Sequence, residues 1–197
     1  MDSARTLEFW YDFASTYSYL AAMRIEDAAA RAGITVSWHP FLLGPIFKAQ
    51  GWATSPFNLY PVKGRYMVRD IERIAKKRRL EFHLPQPFPA NSLAAARLAL
   101  LGVDEGWVSP FSRAVFHAEF VQQADISDRN VLATILANIG RDPLRYLQRL
   151  EDQRLKERLR LQTETAMARG IFGAPTFICT GELFWGDDRL EDALEWI

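Results

Sequence analysis

Apolar and polar residues alternate at the start of the chain, and the spacing then changes to that of a helix. Every second residue from 7 to 13 is large and apolar, which predicts a strand with one buried face and Trp10 on the other. An apolar stripe at helical spacing covers residues 17–32, and Gly33 is typical of a helix C-cap. A second strand is predicted over residues 34–38. Strand, helix and strand in this order form a βαβ unit.

The middle of the chain follows helical patterns almost throughout. Between residues 45 and 169, amphipathic stripes alternate with helix-start signals such as Asp142-Pro143. The basic run at residues 76–79 ends one predicted helix. We interpret this run as a solvated helix end rather than a nucleic-acid site, because cations there complement the helix dipole.

Strand patterns return near the end of the chain. Residues 175–179 and 183–185 are β-rich, and Thr180-Gly181-Glu182 between them is typical of a turn, so a hairpin is predicted. Asp187 and Asp188 then offer capping side chains for a final helix.

The element order βαβ, helical insertion, ββα is that of an α/β thioredoxin-like fold. We therefore predict a thioredoxin-like domain formed by residues 1–44 and 170–197. Residues 45–169 are predicted to form a large all-helical insertion domain between its two halves.

Composition narrows the class of protein. The 197 residues are 49% hydrophobic, enough for a sizeable core, and Lys plus Arg equals Asp plus Glu at 24 each. A net charge of zero gives no electrostatic reason to expect nucleic acid or a membrane surface as a partner. Cys179 is the only cysteine, the start of the chain is polar overall and lacks an apolar secretion core, and no apolar run approaches the length of a membrane span. We therefore expect a reduced, cytoplasmic protein.

Ser15 lies where the first strand is expected to turn into the first helix. One interpretation is structural, because serine is a preferred N-cap. The other is functional, because a helix N-terminus carries about half a positive charge and favours a nearby thiolate. Thioredoxin-fold enzymes place a Cys-x-x-Cys pair there, whereas this chain has serine at both equivalent positions, Ser15 and Ser18, so the thiol must come from another molecule. Spacing alone leaves both interpretations open.

Pro175 precedes the predicted third strand. Because X-Pro bonds are cis in only about 5% of folded cases, one interpretation is an ordinary trans proline that opens a strand. In a thioredoxin fold, however, the proline at this point is cis and faces the helix N-terminus. The backbone of Ala174 is then free to pair with an extended peptide ligand.

Four further residues are candidate ligand contacts. Asp187 and Asp188 either cap the last helix, or Asp188 binds a ligand ammonium group while nearby N–H groups bind a carboxylate. Lys63, with Asn58 nearby, is either a solvated surface cation or a partner for a ligand carboxylate. The three histidines lack metal-ligand spacing, so no metal site is predicted.

Five segments resemble the 2-hydroxychromene-2-carboxylate isomerases and the kappa-class glutathione transferases of the DsbA-like thioredoxin superfamily. They occur in the family's order and cover nearly the whole chain. They are Phe9–Leu20, Pro61–Met67, Phe88–Leu93, Phe172–Phe177 and Trp185–Leu190.

The resemblance implies glutathione as the cofactor. Ser15 would match the family's active-site serine, which hydrogen-bonds the glutathione sulfur and stabilises its thiolate. Ala174, before Pro175, would pair with the cysteinyl backbone. Asp188 would meet the γ-glutamyl amine, and Asp187 would contribute contacts to the γ-glutamyl carboxylate.

The same resemblance places Lys63 and Asn58 near the glycyl end of glutathione or the substrate carboxylate. Two positions depart from the family pattern. Thr16 replaces the usual proline after the serine, which loosens the helix start slightly. Asp187 replaces a neutral residue and would repel a ligand carboxylate unless only its backbone N–H makes contact.

The implied activity is conversion of 2-hydroxychromene-2-carboxylate to trans-o-hydroxybenzylidenepyruvate in aromatic degradation. The thiolate would add to the chromene, the ring would open, a C–C bond would rotate and the thiolate would leave. The alternatives are a kappa-like glutathione transferase and a redox-inactive thioredoxin-like binding module. The expected partners are glutathione and a small aromatic carboxylate, and the aromatic content is compatible with a homodimer.

Overall fold

A computed structural model describes residues 5–197, so most of the polar start of the chain lies outside the described residues. Four strands and eleven α-helices are present in this range, with short 3₁₀ turns at Arg149–Glu151 and Asp187–Arg189. No helix between residues 5 and 197 is long and apolar enough to cross a bilayer. In chain order the elements are β1 (Thr6–Tyr11), α1 (Thr16–Ala22), α2 (Ile25–Ala32), β2 (Thr35–Pro40), α3 (Leu43–Ala49), α4 (Pro56–Leu59), α5 (Pro61–Arg78), α6 (Leu93–Glu105), α7 (Val108–Phe120), α8 (Arg129–Asn138), α9 (Pro143–Gln148), α10 (Gln153–Ala168), β3 (Thr176–Cys179), β4 (Glu182–Trp185) and α11 (Leu190–Trp196).

The four strands form one mixed sheet in the order β2-β1-β3-β4. β1 and β2 are parallel, as their helical crossover requires, and β3 pairs antiparallel with both β1 and β4. The pairing of Trp10 with Thr176 brings the end of β1 next to the segment that precedes β3. The predicted thioredoxin-like order of elements is confirmed, and this register is what assembles the site described below.

The two faces of β1 pack into different clusters, as the alternation predicted. Phe9 and Tyr11 belong to the larger core, where their rings stack with centroids 4.9 Å apart. Trp10 faces the smaller cluster with Phe41 and Ile178. Burial of both faces explains why all three aromatic side chains are nearly inaccessible to solvent.

The prediction of one helix over residues 17–32 was wrong, because the helix is interrupted at Met23 and Arg24. Arg24 has φ −132° and ψ −13°, outside the helical region, and its guanidinium bonds to Asp187 and Glu191. The apolar stripe runs through the interruption because α1 and α2 both face the larger core.

The predicted cap of the last helix was also wrong. Asp187 begins a 3₁₀ turn, and α11 starts only after Arg189, without a side-chain cap. The segment between α3 and α5 contains the short helix α4, which begins at Pro56.

The helical segment between β2 and β3 shares its core with the sheet. Tyr19 of α1 packs against Phe116 and Phe120 of α7, with the Phe120 ring centroid 5.4 Å away. One buried cluster therefore contains residues from both predicted domains. The boundaries 1–44 with 170–197, and 45–169, remain a prediction.

Glu119 on α7 is an exception within this core. Its side chain is inaccessible to solvent, and neither carboxylate oxygen has a hydrogen-bond partner among residues 5–197. Burial raises the pKa of Glu119 well above its usual range, and the buried carboxyl of Asp12 raises it further. The fold therefore favours the neutral acid at this position.

We predict that Glu119→Gln flattens the pH dependence of stability. Because the pKa of Glu119 is higher in the folded than in the unfolded chain, the folded state binds more protons once the pH passes about 4.3. This contribution to stability is lost as the pH rises through the folded pKa. Denaturant unfolding at several pH values should show that Glu119→Gln lacks this decline, whereas the exposed control Glu195→Gln keeps the wild-type slope. An unchanged slope in Glu119→Gln would contradict the assignment.

Candidate active site

Ser15 is the N-cap of α1 and is itself almost buried. It has extended backbone angles, and its Oγ accepts the N–H of Ser18 at 3.1 Å. The Ser15 hydroxyl donates to the carbonyl oxygen of Ala174 at 2.9 Å. The predicted N-cap role of Ser15 is therefore confirmed. The Ser15 hydroxyl also bonds to a distant segment of the chain, so Ser15 is still a candidate for ligand binding.

The Ala174–Pro175 peptide bond is cis, as the thioredoxin-like element order predicted. The loop is held from its other side, because the N–H of Gly186 donates to the carbonyl of Pro175 at 3.0 Å. Gly173 is required here, since a Cβ at this position would lie 2.3 Å from Nε1 of Trp185. Backbone and side-chain packing together fix Ala174 opposite Ser15.

The two serines of the Ser15-Thr16-Tyr17-Ser18 segment have different environments. Ser18 is completely buried, and its hydroxyl has no hydrogen-bond partner among residues 5–197. Only its backbone N–H reaches Ser15. Of the two hydroxyl groups, only that of Ser15 is placed to meet a ligand.

Asp12 supports the turn that leads to Ser15. Its side chain is buried and accepts the N–H of Ala14 at 3.0 Å, the N–H of Leu43 at 2.7 Å and the hydroxyl of Ser92 at 2.7 Å. Burial raises the pKa of Asp12, and these hydrogen bonds act in the opposite direction. This role was not predicted from the sequence, although a polar residue directly after an apolar strand was a usable signal.

The Asp187 carboxylate is held by ion pairs within the protein. Its side chain is only 2% exposed, and its carboxylate accepts Nε of Arg24 at 3.2 Å and two nitrogens of Arg78 at 2.9 and 2.7 Å. The two guanidinium groups neutralise the charge that was expected to repel a ligand carboxylate. Any ligand contact at this position therefore belongs to the backbone N–H.

The interpretation of the basic run 76–79 as a solvated helix end was wrong for Arg78. This side chain crosses from α5 to Asp187, and so joins the helical segment to the turn beside the cis-proline loop. Sequence spacing could not reveal this contact, because the partners lie 109 residues apart.

Asp188, next to Asp187, has a side chain that is 71% exposed and, among residues 5–197, is paired only with the exposed Arg189 at 3.1 Å. The two adjacent aspartates therefore differ in function: one holds the fold, and the other offers a carboxylate to solvent.

The α5 helix packs against α1. The Tyr17 hydroxyl donates to Asp70 at 2.9 Å, and the Thr16 hydroxyl lies 4.0 Å from the sulfur of Met67.

Lys63 precedes Met67 by four residues, about 6 Å along the helix axis, and is exposed. Asn58 on α4 is exposed and donates to Thr54. Neither Lys63 nor Asn58 contacts Ser15 in the structure.

This arrangement can hold an anion at Ser15 and a cation at Asp188. The N-terminal end of α1 presents its positive dipole end and one hydroxyl group. The Ala174 backbone offers hydrogen-bonding groups to an extended chain. Cys179 is buried with its Sγ 3.2 Å from the Ala193 carbonyl, and burial raises its pKa, so it does not supply a reactive thiolate.

A family model for the DSBA-like thioredoxin domain matches residues 6–197. The chain belongs to this family.

Proteins of known function are similar to this chain over most of their length. This DsbA-like chain is 29% identical over 188 residues to a 2-hydroxychromene-2-carboxylate isomerase from Sphingobium xenophagum, covering 95% of both chains. It is 25% identical to glutathione S-transferase kappa 1 from Homo sapiens, covering 95% of this chain and 88% of the relative. A solved structure of 2-hydroxychromene-2-carboxylate isomerase superposes with a TM-score of 0.88 at 26% identity, covering 97% of this chain and 95% of the other. The relatives are therefore isomerases and glutathione transferases.

We predict that Asp187→Ala destabilises this DsbA-like protein by about 2 kcal/mol, because it leaves two arginines without their buried partner. The expected loss is below that of a fully buried pair, since both guanidinium groups retain some solvent contact. Asp188→Ala is the matched control and should change stability by less than about 0.5 kcal/mol. Denaturant unfolding measures both, and equal losses in the two variants would contradict the assignment.

Proposed function

We propose that this chain is a glutathione-dependent isomerase that converts 2-hydroxychromene-2-carboxylate to trans-o-hydroxybenzylidenepyruvate. The observation that carries the proposal is the Ser15 hydroxyl, which lies at the N-terminus of α1 and 2.9 Å from the Ala174 carbonyl, in a site without cysteine. Similarity to isomerases of this name over 95% of the chain supports it.

The groups at the site fit the charges of glutathione. A hydroxyl at the positive end of α1 suits a thiolate, and the exposed carboxylate of Asp188 suits the γ-glutamyl ammonium group. Lys63 forms no ion pair among residues 5–197 and suits a carboxylate of the cofactor or the substrate. Asn58 is on α4, which packs against the α5 helix of Lys63, and can contribute a neutral hydrogen bond.

The bond between Ser15 and Ala174 keeps both groups paired when no ligand is bound. An extended cysteinyl backbone can donate its N–H to the Ala174 carbonyl in place of Ser15. The Ser15 hydroxyl is then free to donate to the sulfur. Meanwhile the Ser18 N–H continues to donate to Ser15 Oγ and keeps the hydroxyl in place.

Bound glutathione would supply a sulfur nucleophile that is regenerated in each turnover, because substrate and product are isomers. The chain's own residues stabilise the anion and hold it in position. Ser15 and the α1 dipole lower the free energy of the thiolate, while Ala174 holds the cysteinyl backbone and Asp188 holds the γ-glutamyl end.

We predict that Ser15→Ala lowers turnover at least about tenfold, because it removes a hydrogen bond to a charged sulfur. The matched control is Ser18→Ala, which removes a buried hydroxyl without a partner and should leave turnover unchanged. The assay follows the absorbance of hydroxychromene carboxylate with catalytic glutathione. Because Ser15→Ala also loses an N-cap, unfolding curves must show that both variants are folded at the assay temperature. Equal rates for Ser15→Ala and wild type would remove Ser15 from the mechanism.

A kappa-like glutathione transferase is the second candidate, favoured by the similarity to the human kappa enzyme. Stoichiometric consumption of glutathione on a halonitrobenzene, without isomerisation of the chromene, would favour this alternative. Absence of glutathione binding in calorimetry would favour a redox-inactive binding module.

A further inference from the structure

Two adjoining cavities lie apart from the Ser15 site and share part of α6. The larger also lies against α3 and α10, and the smaller lies against the loop before α6, the start of α8 and the 3₁₀ turn at Arg149–Glu151. Their volumes are about 360 and about 190 Å³. Neither is lined by Ser15, Ala174 or Asp188. Both are lined by Leu93 and Arg97 of α6, so one arginine is common to the two.

Arg97 differs from the other cations around these cavities. Its Nε is buried without a hydrogen-bond partner, and the guanidinium makes no ion pair among residues 5–197. In contrast, Arg160 is paired with Glu157 and Glu164, and Lys156 is paired with Glu151 at 3.1 Å. A partly buried guanidinium without an anion is unfavourable, because a desolvated N–H then lacks an acceptor.

Apolar side chains make up half of the residues that line the larger cavity. Five of its residues are aliphatic, thioether or proline side chains, namely Leu42, Pro45, Leu93, Leu159 and Met167. The polar groups are concentrated in Arg97, Lys156, Arg160, Thr163 and Glu164. An apolar wall with a free cation suits a ligand that has an apolar body and one anionic end.

From this combination we infer that the larger cavity, here called the Arg97 cavity, is a second binding site. Its ligand would be a small carboxylate with an aromatic or aliphatic body. The carboxylate accepts hydrogen bonds from the Arg97 guanidinium, which presents a planar set of donors that matches a carboxylate. The apolar body lies against Leu159 and Met167. A volume of about 360 Å³ admits one or two rings but not a dinucleotide or a folded peptide.

The proposed site is distinct from the Ser15 site but is linked to it by hydrogen bonds. The N–H of Leu43 and the hydroxyl of Ser92 both donate to Asp12, and these residues directly follow and precede Leu42 and Leu93 of the cavity wall. The experiment must therefore separate binding at Arg97 from binding at Ser15.

The test is a titration of the isotopically labelled protein with 1-naphthoate, followed by amide NMR shifts. We expect saturable shifts centred on Leu93, Leu159 and Met167. Arg97→Gln should weaken binding about tenfold or more, because it removes a charge-assisted contact.

Arg160→Gln is the matched control. Arg160 lines the same cavity but is already paired, so this variant should change the affinity less than about twofold. The neutral analogue 1-naphthalenemethanol should bind at least about tenfold more weakly than 1-naphthoate.

Two further variants keep the inference falsifiable. Met167→Trp, at the partly exposed rim, should block the cavity and abolish the shifts in a folded protein even if Arg97→Gln does not fold. Ser15→Ala and excess glutathione should leave naphthoate binding unchanged, so failure of the proposed isomerase activity does not affect this test. No saturable binding, equal affinity in Arg97→Gln, or displacement by glutathione would overturn the inference.

Discussion

One hydrogen bond, from the Ser15 hydroxyl to the Ala174 carbonyl, joins segments that lie 159 residues apart in the chain. It exists because β1 and β3 are antiparallel neighbours, so the residues after β1 meet those before β3. The helix that follows β1 then directs its N-terminus, with the positive end of its dipole, toward the same place. The proposed binding of a thiolate depends on this one place where sheet, helix and loop meet.

Two buried aspartates connect this crossing point to the rest of the molecule. Asp12 accepts hydrogen bonds from three segments, at the end of β1, the start of α3 and the loop before α6. Asp187 binds arginines from α5 and from the break between α1 and α2. Both carboxylates are removed from water, and their energetic cost is offset by donors that include Ser92 and Arg78 of the helical segment between β2 and β3. This helical segment therefore supports the site as well as enclosing the core.

The sequence was sufficient for the features that depend on local pattern. Alternation at Phe9 and Trp10 predicted the two faces of β1, and the element order predicted the position and cis form of Pro175. Prediction from the sequence failed where tertiary packing decides which partner a charged side chain contacts, as for Arg78 with Asp187. Whether a serine is a cap, a ligand contact or neither also depends on what surrounds its oxygen. Ser15 and Ser18 are equivalent in pattern, yet only one of the two hydroxyl groups has hydrogen-bond partners among residues 5–197.

The central claim is that Ser15 and the N-terminus of α1 stabilise a sulfur anion brought by glutathione. The direct measurement is the ultraviolet absorbance of the thiolate, followed across pH for glutathione bound to the protein, with the protein alone as the blank for Cys179. The account predicts a bound thiol with a pKa at least about one unit below the ordinary value of about 8.5. A pKa equal to or above that of free glutathione, in a complex shown to be saturated, would contradict it.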